Sequence, residues 1–235
     1  MKKPFLSKLK DVFSADGRKN KSALANGILL VFTLIAIFIL PIFPRESISF
    51  FYNITITGIF VFAVFALKKH HLFFVYSAFF LSFLVWISFI SNYNLLKIGF
   101  RFLNFIFLLF LVASLIGQIS STATVTFKVI VDSITGYFLL GFAFSLVVVL
   151  VSVTFPNAYN VSFSERLDSG MVEPIQDNIY YTFMTFTTTG YGDVVPTHPV
   201  SKSLAVLISA SGQLYVAIII AMLIGKYASA PSKSK

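Results

Sequence analysis

The stretch Thr187-Thr188-Thr189-Gly190-Tyr191-Gly192-Asp193 decides how the chain is read. Its two glycines alternate with side-chained residues, and glycine adopts backbone angles closed to other residues. A segment of this kind can turn successive carbonyl oxygens to one side, where an ordinary loop would alternate them. A row of such oxygens is the chemistry that replaces the water shell of a dehydrated cation. Thr188 adds a hydroxyl at one end of the row, and Asp193 follows the other with a carboxylate.

Around this stretch the composition is that of an integral membrane protein. Of the 235 residues 57% are hydrophobic and only 11% charged, against about 25% charged in soluble domains. Six apolar runs approach or reach the roughly 20 residues that a helix needs to cross the hydrocarbon core. They are Ala23–Pro41, Ser49–Leu67, Leu72–Ser91, Leu95–Ile116, Ile134–Phe155 and Ser203–Gly225. The apolar part of the intervening stretch, Pro156–Lys202, is too short to span, so the reading expects a re-entrant segment there. The first run is longer than the apolar core of a signal peptide and lacks a clear cleavage motif, so it reads as a span.

Charge placement orients the chain. With the N-terminus inside and six crossings, 13 of the 18 basic residues fall inside, among them Lys2, Lys3, Lys68, Lys69, Lys128 and Lys226. Arg45, Arg166 and Lys202 fall outside, and this bias fixes cytoplasmic N- and C-termini and an outward-facing filter at the cell membrane. Six of the nine acids (Glu46, Glu165, Asp168, Glu173, Asp177 and Asp193) fall outside, as a cation-focusing vestibule or as solvated loop. In residues 1–22, Phe5, Leu6, Leu9, Val12 and Phe13 share a helical face opposite lysines. That suits an interfacial helix on anionic lipid, or else a basic leader. The net charge of +9 therefore reads as membrane orientation and not as nucleic-acid binding. There is no cysteine, which excludes disulfides and thiolate chemistry. No nucleophile–base pair or nucleotide loop stands out, so the reading is not an enzyme and has no cofactor.

The segment DNIYYTFMTFTTTGYGD (177–193), followed by Val194-Val195-Pro196, resembles the pore loop of the tetrameric potassium channels. It is most similar to prokaryotic members with a two-helix ion-channel pore domain. Pro174 and Ile175 would open a pore helix to about Thr187, with Glu173 and Asp177 at its positive end. The resemblance implies that Thr188, Thr189, Gly190, Tyr191 and Gly192 coordinate K⁺, the permeant ligand. It also implies a glycine in the inner helix 19 residues past the aspartate, and Gly212 stands there. Gly212 is a gating-hinge candidate or a site of close helix packing, and Gln213 is a candidate lining residue of the inner cavity. Gly136-Tyr-Phe-Leu-Leu-Gly141 resembles the outer helix.

Two departures from the family pattern stand out. Thr189 replaces the usual Val or Ile, and its hydroxyl can alter packing behind the filter. Tyr180 and Met184 occupy the positions that usually brace the filter aspartate. Tyr180 is therefore expected to donate its hydroxyl hydrogen to Asp193, with Tyr181 packed behind Tyr191.

The expected fold is all-α, with six transmembrane helices plus a re-entrant pore helix and filter loop, in a homotetramer. Residues 23–117 form a degenerate sensor-like four-helix region, 118–133 a cytoplasmic linker, 134–228 the pore domain and 229–235 a short tail. Voltage sensing needs several basic residues at three-residue spacing; the fourth span has Lys97 and Arg101, four apart near its outer end. No ligand-sensing module is expected after the sixth span. The resulting function is passive K⁺ conduction without strong voltage gating. A weakly selective cation channel and a non-conducting channel-like subunit are the alternatives.

Overall fold

The computed structural model describes residues 24–43, 45–67, 71–90, 94–122, 125–155, 157–160 and 175–228. The basic segment 1–22, the acids Glu165, Asp168 and Glu173, the helix-opening Pro174 and the tail 229–235 lie outside the described residues.

Among the described residues the regular elements are all helices, with a single isolated antiparallel bridge between Tyr159 and Pro196. In chain order the helices are α1 (Leu24–Ile42), α2 (Arg45–Ala66), α3 (His71–Ile90), α4 (Asn94–Ser121), α5 (Phe127–Thr154), α6 (Ile175–Phe186) and α7 (Pro199–Ala228). Helix α1 widens to a π-type turn at Ile35–Ile39 and ends in a tight turn containing Pro41, which has no N–H to continue it. Helix α7 starts on Pro199, suited to a first turn where the amide is spare.

Four of these segments are long and apolar enough to cross a bilayer: Leu24–Ile42, Gly99–Ser121, Phe127–Thr154 and Pro199–Ala228. The other two expected spans are helical, but their apolar stretches among the described residues, Phe50–Ala66 and Val75–Ile87, are shorter. Several hydroxyl side chains inside the helices cost little in apolar surroundings because they return their protons to their own helix. Thr33, Thr55, Ser133 and Thr135 donate to the carbonyl four residues back, and Ser145 and Ser152 to the carbonyl three back.

Helix α5 is the organising element, packing on α4, α6 and α7, while α2 packs mainly on α3. Its buried face carries Leu139, Phe142, Ala143 and Val148. A second apolar cluster joins Phe144, Val148, Tyr181, Phe186, Leu204 and Ile208, and ties α5 to α6 and α7.

Most of the stretch 118–133, expected as a linker, is helical. Helix α4 continues to Ser121 and α5 begins at Phe127, so only about five residues separate them. Polar residues in this stretch bond one another. Asp132 is buried; it accepts from Lys128 Nζ at 2.8 Å, from Gln118 Nε2 at 3.0 Å and from the Asn26 amide of α1. Lys128 is therefore half of an ion pair one helical turn long. At the same end of the molecule, Lys226 of α7 donates to the last carbonyls of α4, at Ile119, Ser120 and Thr122. A cation suits that negative helix end.

Candidate functional site

Helix α6 brings its chain to the critical loop. Its last turn is closed by Thr187 N–H and Thr187 Oγ1, both donating to Phe183 O at 3.0 and 2.7 Å. Thr188 N–H then reaches Thr185 O and Gly190 N–H reaches Met184 O, each at 3.0 Å. These bonds tie the start of the loop to the C-terminal end of α6, the end that carries partial negative charge.

Along 188–192 the backbone alternates in hand. Thr188, Gly190 and Gly192 have φ of +60°, +55° and +80°, whereas Thr189 and Tyr191 stay on the negative side. Alternation of this kind cancels the flip between neighbouring peptide planes, so successive carbonyls can face one way. The glycines adopt it at little cost. Thr188 does not: left-handed backbone costs a side-chained residue about 1–2 kcal/mol. Its hydroxyl helps to hold it, donating to Thr187 O at 2.6 Å and accepting from Gln213 Nε2 at 3.3 Å. The Thr189 and Thr187 hydroxyls bond each other at 2.9 Å, so the side chain that departs from the family pattern is tied back to the loop's own base. All five positions are exposed in the single chain, and Tyr191 is 71% exposed.

At the Gly192 end of the loop, Tyr180 Oη donates to Asp193 Oδ2 at 2.7 Å. This bond holds the Asp193 carboxyl below the usual carboxylate range and pushes the Tyr180 hydroxyl up to about 12. Tyr181 is expected behind Tyr191; within one chain its ring packs edge-on against Tyr159, at 4.8 Å between centroids. Met184 offers no acid to Asp193, and Asp177 lies in the first turn of α6.

A residue that sequence reasoning missed braces the same end. Asn160, just beyond α5, donates from Nδ2 to Asp193 O at 3.0 Å and accepts from Val195 N–H through Oδ1 at 2.7 Å. Its own N–H donates to Val195 O at 3.0 Å. Next to it, Thr197 N–H donates to Ala158 O at 2.9 Å, and Ser201 Oγ donates to the same carbonyl at 2.5 Å. The chain leaving the loop is thus laced to the exit of α5.

Gly212 lies where α7 passes the end of α6. A Cβ there would run into the carbonyl oxygen of Phe186 and lie 3.1 Å from its carbonyl carbon. Helix α7 continues unbroken through this point. Close backbone approach accounts for the glycine, so the packing alternative fits and no bend at 212 is needed to explain it. The approach also carries the neighbouring Gln213 under the loop, to Thr188.

These features define a membrane protein in which a short helix and a bonded loop are held between two long apolar helices. Residues 106–228, which are 123 of the 235, match the family model described as "Ion channel", a two-transmembrane family of potassium-channel type. The chain belongs to that family. No curated protein and no solved structure matches the chain.

Proposed function

We propose that the chain is one subunit of a homotetrameric, potassium-selective channel that conducts K⁺ passively. The observation that carries this reading is the alternating backbone from Thr188 to Gly192, with φ positive at 188, 190 and 192 only. In the proposal these five residues supply carbonyl oxygens, and Thr188 a hydroxyl, to a file of dehydrated K⁺ ions that move by mutual repulsion. Tyr180 and Asp193 brace the outer end.

One loop cannot ring an ion, so four copies around an axis are required. The exposed apolar surface of α7 supports this: Val206, Leu207, Leu214 and Ile218 are each at least half exposed in one chain. In the proposed topology α2 and α3 complete six spans, α6 is re-entrant, both termini are cytoplasmic in the cell membrane and the basic N-terminus meets anionic lipid. Helix α4 brings Lys97 and Arg101 only, fewer than the 3–4 gating charges of a voltage sensor, so opening does not depend steeply on voltage.

The test is concentrative uptake of radioactive rubidium, a close K⁺ mimic, into vesicles holding the purified protein. Uptake driven by an outward K⁺ gradient in Na⁺ medium supports the proposal. Uptake equal to that of empty vesicles favours a non-conducting subunit, and equal uptake under an outward Na⁺ gradient favours a weakly selective pore.

A further inference from the structure

We propose that Gln213 is a positioning residue that sets how tightly a dehydrated cation is held at the Thr188 end of the filter. The inference rests on the potassium-channel reading above and gives that site a control residue on α7.

A hydroxyl has one proton to donate and two lone pairs to accept with. The Thr188 proton is spent on Thr187 O at 2.6 Å, so towards Gln213 the Thr188 oxygen can only accept. This fixes the orientation of the Gln213 amide: its NH₂ group faces Thr188, at 3.3 Å. One lone pair is thereby occupied, and an amide N–H dipole is aimed at the oxygen that a cation would use. The amide and the ion compete for the same atom. Both residues are exposed in the single chain and bonded to each other, so in the proposed channel the competition takes place on the path itself.

The placement of Gln213 is built in. Gly212 abuts the Phe186 carbonyl, and no side chain fits between them. The preceding turn of α7 is anchored by buried Ile208, and the following one by Tyr215, whose hydroxyl donates to Ser133 O at 2.8 Å. Helix α7 therefore cannot turn Gln213 away without breaking these contacts.

The probe is Ba²⁺, which is close to K⁺ in size and doubly charged, so it binds filter oxygens long enough to be measured as block. It is added from the Gln213 side to the full-length protein in bilayers, and its binding to the purified protein is measured in parallel by calorimetry, which also reports on a variant that passes no current. Gln213→Leu removes the competing amide, and Gln213→Asn keeps an amide one methylene too short to reach. Both are expected to bind Ba²⁺ more tightly, by roughly three- to tenfold, the span of one net hydrogen bond. Affinities equal to wild type in both variants overturn the proposal, because a purely structural glutamine would leave Ba²⁺ binding untouched. Weaker binding overturns it too, since Gln213 would then be supplying oxygen to the ion. Wild-type protein that neither conducts K⁺ nor binds Ba²⁺ overturns the channel reading itself, which is a separate result.

Discussion

Thr188 shows how a single residue carries both the strain and the chemistry of the loop. A β-branched side chain at φ +60° is tolerated because its hydroxyl finds partners on both sides, Thr187 O and Gln213. At the other end the Tyr180–Asp193 bond does comparable work. Tyr180→Phe removes the donor without changing the ring, and recordings from the variant should show currents that decay severalfold faster, with subunit assembly unchanged on size exclusion. Unaltered decay would mean that the bond does not brace the filter. The pair also fixes a pH window. Asp193 is lowered in the folded protein, so its contribution is present above the ordinary carboxylate value near 4 and is lost as pH falls through the depressed value. Tyr180 is raised to about 12, so its contribution is present below the ordinary value near 10 and is lost as pH rises through the raised one. Current decay should therefore not vary with external pH between about 5 and 9 through this pair.

Two contacts between elements hold the loop in place. The first is the approach of α7 to α6 at Gly212. Gly212→Ala pushes a methyl group into the Phe186 backbone, which cannot rotate away as a side chain can. It should destabilise the protein by about 1–3 kcal/mol, the usual cost of overpacking, read as a lowered thermal midpoint. A variant as stable as wild type with altered opening would favour the hinge role. The second contact is the lacing of the post-loop chain to the exit of α5. Asn160→Ala removes two side-chain bonds and leaves Val195 N–H without its acceptor, at a cost of about 1–2 kcal/mol. The same thermal measurement checks it, together with faster current decay. The first of these contacts was half readable, because a glycine within a membrane helix suits either a hinge or close packing and the sequence alone does not separate the two. The second left no sign in the sequence. Asn160 is one polar residue in a polar turn, 33 residues from Asp193, and only the folded chain brings them together.

At the scale of the whole molecule, the loop and its flanking helices were legible because their chemistry is local. Backbone freedom, a hydroxyl, a carboxylate and an apolar run each announce themselves within a few residues. Boundaries were less legible, since polarity alone cannot separate a solvated linker from a buried network. Lys128 and Asp132 read as linker because Asn26 of α1, which bonds the buried Asp132, is remote in sequence. The link from Lys226 to the end of α4 was hidden for the same reason. Both lie at the end of α5 and α7 away from the loop; the Asp132–Asn26 bond connects the family-matched region to α1, and the Lys226 link ties α7 to the end of α4. The whole account still turns on which ion the loop accepts. The direct measurement is the reversal potential of purified protein in a planar bilayer, with K⁺ salt on one side and Na⁺ salt on the other. The account predicts reversal close to the K⁺ equilibrium potential; reversal near zero or towards the Na⁺ potential would contradict it.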